Sequence, residues 1–441
     1  MPVAASCGDD DGRSGGSTPC NPAAHTGCDA GQVCEEVQGG QPGCFAPLLF
    51  RGRVFDLLDD QGIAGARVLA RDESEAALST VVVTDATGGY ELAVPAMRSA
   101  AGVPIHANVT LRVDAFGYAP FPKAPRVALP IDLGTATSEP FIVENPTTDV
   151  GLAPLPSTTG LGSLSGHIEA DFAAGALVDA GGVTGIADFA GDFAVYNVPA
   201  GSVEVTAYGA FLSVAPETVT VTAGAETADV LLAGSGLPTA TISGNVQIVN
   251  APGGSTTSVL LAVEDTFDEA LRRGEAPIGL RAENVSGAFA IEGVPAGNYV
   301  VLASFDNDGL VQDPDTSIGG TEIVHIVVDG QDQALAESFK VTGALAVIAP
   351  AELEVVAGLP TLAWEDDSSE DEYLVRVYDA LGTLVWETQG VFDPGGSSPA
   401  TVAYAGPLLE SGMIYQFRAV ALKGGVAISA TEDLKGLFVA Q

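Results

Sequence analysis

The sequence predicts an all-β protein made of tandem antiparallel β-sandwich modules, and three observations support this. Three stretches, about a hundred residues apart, share one order of turn residues, an aromatic residue and Val-Pro. Between these stretches apolar and polar residues alternate with a period of two, as in 203–208 and 218–222, which is typical of strands with one buried face. Short segments rich in Gly, Pro and Ser separate the stretches, which indicates repeated β-units joined by linkers.

The three stretches share their turn chemistry. They begin at Asp85, Asp188 and Asn284, and each places Gly three residues later, as positions i and i+3 of a type I turn prefer. The last two continue from Val into Pro-Ala-Gly, which predicts a second turn with Pro at position i+1. The predicted unit is therefore turn, short strand, turn, strand.

The composition limits the function. A chain of 441 residues is long for one hydrophobic core and predicts about two to four domains. The net charge of -40, with only four lysines, excludes nucleic acid as a partner, because phosphate neutralisation needs clustered Lys and Arg.

The first 19 residues are interpreted as the remnant of a signal peptide followed by a flexible tether. The run Val3-Ala-Ala-Ser-Cys7 resembles the end of a bacterial lipoprotein signal peptide, whose Cys becomes lipid-modified. The apolar stretch of such a signal would lie upstream of Met1, which implies a misplaced start codon or a trimmed sequence. The resemblance implies attachment to the membrane through Cys7, at the outer membrane or cell surface of a bacterium, with secretion as the alternative. A disordered N-terminus with a free thiol is the other interpretation.

Residues 20–47 are predicted to be a small Cys-rich segment. All five cysteines lie within the first 44 residues, which is typical of a secreted protein with a loop-rich head. Two disulfides among Cys20, Cys28, Cys34 and Cys44 are the simplest outcome, and three pairings stay open. The alternative is a zinc site with His25 as a further ligand, although the chain lacks two Cys at the usual spacing.

Residues 48–156 form the first predicted module. The pattern comprises Gly52-Arg-Val-Phe-Asp56, Gly62-Ile-Ala-Gly65-Ala-Arg-Val68 and Thr84-Asp85 with Tyr90. It resembles the carboxypeptidase regulatory-like family, whose members fold as transthyretin-like antiparallel β-sandwiches. The resemblance covers residues 48–94. It implies no peptidase activity, because in that family the catalytic domain is separate from this module.

Two further modules repeat the plan, at 160–234 and 237–350. The third module carries an insertion in which Thr266 and Glu269 form a capping box and Gly274 suits a helix end, so a helix of two turns is predicted. The linkers between modules are short, which predicts a semi-rigid rod of modules.

Residues 351–441 form the last predicted module. An early Trp364, and a Leu409 followed six residues later by Tyr415, resemble a fibronectin type III domain with its tyrosine corner. Trp364 is predicted to lie in the core, whereas Trp386 is left open between core and ligand platform. The acidic residues 365–372 are predicted to form a solvated loop.

The sequence predicts a protein without catalytic activity that requires no cofactor. Its four histidines lie far apart, and neither the His-Glu-x-x-His nor the Gly-x-Ser-x-Gly pattern occurs. Because catalysis needs convergent groups in one pocket, a non-enzymatic protein is expected.

One acidic cluster is a candidate calcium site. Asp306, Asp308, Asp313 and Asp315 lie around Gly309, and an EF-hand alignment puts Asp306, Asp308 and Asp315 on ligand positions. Ser304 stands at position one and Pro314 breaks an exiting helix, so the alternative is an Asx-rich turn held by its own hydrogen bonds.

Three functions follow from this pattern. The first is a surface lipoprotein that acts as a spacer, adhesion stalk or protein-binding scaffold for an unknown protein or glycan. The second is carbohydrate binding, with Tyr118, Tyr196 and Tyr208 as candidate aromatic platforms, because the transthyretin-like sandwich is similar to starch-binding modules. The third is an accessory subunit of a secreted hydrolase.

Overall fold

A computed structural model describes residues 20–22, 27–249, 251–269, 273–303, 308–312, 323–336, 338–367, 370–392 and 399–441. These residues form 35 strands and three short 3-10 helices, with no α-helix in the described part, so the all-β prediction is confirmed. Within the same residues, no helix has the length and apolarity that crossing a bilayer requires.

The N-terminal Cys-rich segment is a stapled hairpin. Its strands are β1 (Val33–Glu35) and β2 (Gly43–Phe45), which pair antiparallel. Disulfides join Cys20 to Cys34 and Cys28 to Cys44. The two-disulfide prediction is therefore confirmed, and all four sulfurs are consumed in these bonds instead of serving as zinc ligands.

Each of the first three predicted modules contains two packed sheets, and we keep the predicted ranges as names for these groups of strands. The strands of module one are β3 (Leu48–Asp56), β4 (Arg67–Arg71), β5 (Val82–Val83), β6 (Gly89–Val94), β7 (Asn108–Asp114), β8 (Ile131–Asp132), β9 (Ile142–Val143) and β10 (Val150–Leu152). Those of module two are β11 (Leu161–Glu169), β12 (Leu177–Ala180), β13 (Thr184–Ile186), β14 (Asp192–Pro199), β15 (Gly201–Tyr208), β16 (Glu217–Val221) and β17 (Glu226–Ala233). Those of module three are β18 (Ala240–Ile248), β19 (Thr257–Val263), β20 (Arg281–Val285), β21 (Ala288–Val294), β22 (Gly297–Ala303), β23 (Leu310–Gln312), β24 (Val324–Val328), β25 (Gln333–Ala334) and β26 (Phe339–Gly343).

The three modules share one strand order. In each, the first strand (β3, β11 or β18) lies between an antiparallel strand and one or two parallel strands from the end of the module. The facing sheets have the orders β5-β4-β7-β8, β13-β12-β15-β16 and β20-β19-β22-β24. This repetition is the structural counterpart of the repeated turn pattern.

The repeated turns carry the chain from one sheet to the other. Gly88 donates to the Asp85 carbonyl at 3.0 Å, and Gly191 donates to the Asp188 carbonyl at 3.0 Å, with positive φ at both glycines. The third copy differs, because β20 runs through Asn284, which itself takes a φ of 55°. The type I pattern is therefore found in two of the three copies.

The last module is a sandwich of different strand order. Its strands are β27 (Val347–Ala349), β28 (Glu354–Val356), β29 (Thr361–Trp364), β30 (Glu372–Asp379), β31 (Leu384–Gly390), β32 (Ala400–Ala403), β33 (Ile414–Lys423), β34 (Val426–Ala430) and β35 (Leu437–Ala440). One sheet has the order β27-β29-β32, and the other has β28-β35-β33-β30-β31 with β34 on β33.

Each module has an apolar cluster between its sheets, and each cluster contains a large buried aromatic residue, namely Phe50, Phe193, Phe339 and Trp364 in chain order. The cluster of module three also reaches Leu69 of module one and Leu177 of module two. Trp364 is fully buried, as predicted.

The modules pack around module one, so the predicted rod is wrong. Val127 and Leu129 of module one share an apolar cluster with Tyr378 and Ile414 of the last module. Arg126 of module one donates through Nε to the Leu381 carbonyl at 3.1 Å. Short linkers fix only the separation of neighbouring modules, whereas side chains on the outer faces decide how they fold back on one another.

The predicted helix at 266–274 is also wrong in its described residues. Glu264–Thr266 form a 3-10 turn, and Asp268 and Arg273 exchange backbone hydrogen bonds at 2.7 and 3.2 Å, as in a hairpin. The Thr266 hydroxyl donates to the Val263 carbonyl at 2.7 Å and accepts from the Glu275 amide at 2.8 Å. That hydroxyl therefore closes a loop where the capping-box pattern predicted a helix start.

Candidate functional site

The candidate site lies where the four modules meet, on the outer face of the β4–β7 sheet. Along β7, Val109, Leu111 and Val113 point into the core of module one, whereas Thr110, Arg112 and Asp114 alternate with them on the opposite face. All six residues are buried. The apolar three lie in the core of module one, and the polar three are covered by modules two and three.

Arg112 is the central side chain of this polar face. Its Nε donates to Asp114 Oδ2 at 2.8 Å, its Nη1 donates to Glu275 Oε1 of module three at 2.6 Å, and its Nη2 donates to the Thr184 carbonyl of module two at 3.1 Å. Burial opposes the charge, but Asp114 and Glu275 outweigh it and raise the pKa of Arg112. One guanidinium therefore joins three modules.

A second ion-pair network extends the junction to the last module. Arg273 of module three pairs with Glu75 of module one and with Asp433 of the last module, and Arg418 pairs with Asp433 at 2.7 Å. Burial alone would raise the pKa of Glu75, but the charges of Arg273 and Arg71 hold it below its ordinary value. Burial, with repulsion from Arg273, lowers the pKa of Arg418 to about 9.

A cavity of about 600 Å³ lies within these networks, and we name it the junction cavity. Module one contributes Arg71, Thr110 and Tyr118 to its wall, module two contributes Tyr196, and module three contributes Glu275. Arg418 and Asp433 of the last module complete the wall. This volume is within the usual range for small-molecule sites.

The junction also gathers like charges. Asp179 on β12 is buried, and its Oδ1 accepts from the Gly182 amide at 3.0 Å. Burial, with repulsion from Asp265 and Glu275, raises the pKa of Asp179 to about 6. Arg112 compensates the charge of Glu275 directly, whereas the charge of Asp179 is opposed by burial and by its acidic neighbours, so ionised Asp179 destabilises the contact of modules two and three.

The structure brings together two of the three candidate platform tyrosines. Tyr118 and Tyr196 both line the junction cavity. The Tyr118 hydroxyl donates to Asp56 Oδ2 at 3.0 Å and the Tyr196 hydroxyl to the Gly65 carbonyl at 3.3 Å. Tyr208 instead packs edge-on against Tyr299, with ring centroids 5.9 Å apart, between modules two and three.

Other sequence candidates lie elsewhere. His106, His167 and His325 pair with Asp132, Asp192 and Glu264 respectively, each in its own module and outside the cavity wall. Cys7, His25, Asp306, Asp313 and Asp315 lie outside the described residues. Asp308 is described, and its Oδ1 accepts from the Leu310 amide at 3.0 Å, as in the Asx-turn alternative. The calcium site stays a prediction.

In the last module the aromatic residues are structural. Trp364 packs against Tyr373 and Phe417, and Trp386 packs edge-on against Tyr404 at 5.0 Å. The Tyr415 hydroxyl accepts from the Glu410 amide at 2.8 Å, which is the contact that a tyrosine corner makes with the upstream backbone.

Sequence reasoning missed Arg71, Arg112 and Glu275. The sequence did carry one signal for Arg112. Basic residues are scarce in this chain, with only 17 Lys and Arg, yet Arg112 and Asp114 alternate with apolar residues in a predicted strand. The polar face of an antiparallel strand is ordinarily in contact with solvent, however. Nothing in the local sequence therefore indicated that other modules cover this face of β7.

Comparisons with known proteins give no family. None of the protein-family models matches the chain, and no curated protein matches it. Similar solved structures include the TIE protein of Bacillus anthracis, which is 10% identical with a TM-score of 0.16 and covers 88% of this chain and 72% of its own. The shaft pilin SpaA of Lactobacillus rhamnosus GG is 11% identical with a TM-score of 0.18, covering 46% and 99%. The major pilin subunit of Bacillus cereus is 10% identical with a TM-score of 0.17, covering 66% and 99%. Scores this low define no shared arrangement, so function is argued from the residues of this chain.

Proposed function

We propose that this chain is a non-enzymatic protein of the bacterial cell envelope, tethered through lipid on Cys7, that serves as a multi-module scaffold for a protein or glycan partner. The observation that carries the proposal is the junction, where Arg112 and Arg273 join the modules through buried or half-buried ion pairs. A unit locked in this way holds its outer loops at fixed positions, which suits presentation to a partner.

Two further features support an extracytoplasmic location. The disulfides Cys20–Cys34 and Cys28–Cys44 require an oxidising compartment to persist. The hairpin that they staple docks on module one through the buried pair of Glu35 and Arg98, so the tether would leave from a fixed point of the scaffold.

Two measurements test the scaffold. Residues 20–441 should scatter X-rays with a radius of gyration near the ~22 Å of a compact chain of this length, whereas four modules in a row would give about 40 Å. A value near 40 Å would contradict the locked scaffold. For the tether, cells expressing the chain behind a complete lipoprotein leader should retain it in membranes, and Cys7→Ser should release it. Equal release of both forms would contradict the lipid anchor.

A second candidate function is carbohydrate binding at the junction cavity. It is favoured because two of the aromatic residues that the sequence predicts as platforms for sugars, Tyr118 and Tyr196, both line this cavity. Calorimetric titration with neutral sugars should show binding that Tyr196→Ala weakens. Tyr208→Ala, a change outside the cavity wall, is the matched control.

A further inference from the structure

The sulfur atoms of the N-terminal Cys-rich segment lie in one group, and we call the described residues of 20–47 the head. The Sγ atoms of Cys20, Cys28 and Cys44 all lie within 4.8 Å of one another, and Cys34 Sγ is bonded to that of Cys20. Among the described residues, no other three His, Cys, Asp or Glu side chains lie close enough together to share a metal ion. The two disulfides are therefore neighbours, and their four sulfurs occupy a space of the size of a metal centre.

The pairing of β1 with β2 explains this grouping. Cys34 and Cys44 are direct partners in the antiparallel register, so their side chains leave the hairpin on the same face. Their disulfide partners, Cys20 and Cys28, lie on the arm of chain that precedes β1. Two sulfurs from the hairpin and two from the arm therefore meet on one face of the hairpin.

The hairpin is held on module one by side-chain contacts that do not involve sulfur. Glu35 Oε1 accepts from the Ala96 amide at 3.0 Å, and Glu35 Oε2 pairs with the fully buried guanidinium of Arg98. Arg98 Nη2 also donates to the Ala46 carbonyl, beyond the end of β2, at 2.9 Å. Arg98 therefore binds the chain on both sides of the hairpin.

Backbone hydrogen bonds add to this docking. The Arg98 amide donates to the Glu36 carbonyl at 2.8 Å, and the Arg98 carbonyl accepts from the Gln38 amide at 2.8 Å. None of these contacts needs an S–S bond. In the reduced chain the hairpin is therefore still docked, with Cys34 and Cys44 opposite each other.

Four thiolates in a group of this size match tetrahedral Zn²⁺ in chemistry and in dimension. Zn–S bonds of ~2.3 Å place neighbouring sulfurs of a tetrahedron ~3.8 Å apart. That separation is longer than an S–S bond and shorter than the 4.8 Å over which three of the sulfurs are now spread. Small rotations of the cysteine side chains therefore convert the pair of disulfides into a metal centre, and soft thiolate ligands select Zn²⁺ over Ca²⁺ and Mg²⁺.

We infer that the reduced head binds one Zn²⁺ through the thiolates of Cys20, Cys28, Cys34 and Cys44, and that oxidation to the two disulfides releases the ion. The zinc form belongs to the chain in a reducing compartment, and the disulfide form to the chain in an oxidising one. The inference is independent of the scaffold and sugar-binding proposals, because the head contributes no residue to the wall of the junction cavity.

The exchange balances in atoms, electrons and charge. A dithiol reductant passes two electrons and two protons to each disulfide and becomes a disulfide itself, so the head gains four thiols. Zn²⁺ then displaces the four thiol protons as four Zn–S bonds form. In the reverse direction, two molecules of a disulfide oxidant accept four electrons from the thiolates and four protons from water. Two S–S bonds form in the head, the oxidant leaves as four thiols, and Zn²⁺ is released.

The test is titration of the reduced chain carrying Cys7→Ser with Co²⁺ and then with Zn²⁺, under argon. The Cys7→Ser change makes the head the only source of thiols. Tetrahedral thiolate ligation gives Co²⁺ intense absorption bands, and we expect them to saturate at one Co²⁺ per chain and to vanish with one equivalent of Zn²⁺. The oxidised protein is the matched control, because it carries the same carboxylates without thiols and should give no such bands. Their absence from the reduced chain would overturn the inference.

Proton counting and a variant fix the number of ligands. An ordinary thiol, with a pKa of ~8.5, is protonated at pH 7, so Zn²⁺ binding should release about four protons, counted by calorimetry in buffers of different ionisation enthalpy. Cys28→Ser in the same background should weaken Zn²⁺ binding about a hundredfold and release about one proton fewer. A count near two, or an unchanged affinity in Cys28→Ser, would overturn the four-sulfur site.

Oxidation of the zinc-loaded chain tests the release. Oxidised glutathione should transfer one Zn²⁺ per chain to a chromophoric chelator, while the intact mass of the metal-free protein falls by four hydrogens. Zinc that stays bound after both disulfides have formed would overturn the switch.

Discussion

The two faces of β7 differ in what they specify. Val109, Leu111 and Val113 close the interior of module one with carbon atoms alone. On the other face, Arg112 meets the Glu275 carboxylate of module three and the Thr184 carbonyl of module two. Both faces are equally dry. An apolar side chain can pack against many different apolar partners. A buried guanidinium is stable only where carboxylates lie at the correct positions to pair with it. The apolar face therefore builds the sandwich, and the polar face selects which modules dock on it.

The largest effect is expected from Arg112→Met. It leaves the buried carboxylate of Asp114 and the partly buried carboxylate of Glu275 without their partner, and should lower the free energy of unfolding by about 3–5 kcal/mol in urea titration. Adding Asp114→Leu and Glu275→Met to the same chain should recover much of that loss, because no charge is then stranded. If Arg112→Met alone lowers the free energy of unfolding by less than about 1 kcal/mol, the polar face of β7 is accessible to water and the buried ion pairs do not hold the modules together.

Leu111→Ala tests the apolar face of the same strand. A buried leucine shortened to alanine should cost about 3 kcal/mol through lost contact and a residual cavity. The two variants should differ in pattern. Hydrogen exchange should accelerate throughout module one in Leu111→Ala, but mainly at the module boundaries in Arg112→Met. Identical exchange patterns would remove the distinction between the faces.

Asp179→Asn should stabilise the protein at neutral pH. The pKa of Asp179 is raised to about 6 in the folded chain, against ~3.9 in the unfolded chain, so the folded state holds the proton more tightly. Stability from this group is therefore present below pH ~4 and is lost as the pH rises to about 6. Asn keeps the acceptor for Gly182 without a charge, so the variant should gain roughly 2 kcal/mol at pH 7 and almost nothing at pH 4.

Urea titrations of Asp179→Asn at the two pH values measure this difference. The control is Glu217→Gln, a change on an exposed strand of the same module, which should alter neither value by more than about 0.5 kcal/mol. A gain of equal size at both pH values would contradict the electrostatic origin.

The smallest effect is expected at exposed ion pairs. Arg51 pairs with Glu91 at 2.7 Å, with both side chains about half exposed. Solvent screens such a pair, so Arg51→Ala should cost less than about 1 kcal/mol. A cost approaching that of Arg112→Met would show that burial is not what separates the junction from the surface.

The fold was predictable because its determinants are local. Asp85 with Gly88 and Asp188 with Gly191 encode turns within four residues, and alternation encodes the buried face of each strand. The cysteines indicated a stapled segment but not its pairing, which depends on how the hairpin closes.

The junction was not predictable, because its determinants are distant in sequence. Arg112 and Glu275 are separated by 163 residues, and no short window contains both. The loop at Thr266 shows the same limit on a smaller scale. Its hydroxyl has two suitable partners, the backbone of a new helix or that of Glu275, and the packing of module three decides between them.

Both faces of β7 are buried, and this fixes the register of the strand in its sheet. A shift of one residue in its pairing with β4 would turn Arg112 and Asp114 towards Phe50 and Leu92, and would set three aliphatic side chains against Glu275. Most half-buried strands are penalised for such a slip on one side only. Here the groups on both faces oppose the shift, so the pairing of Arg71 with Thr110 is fixed from both sides of the sheet.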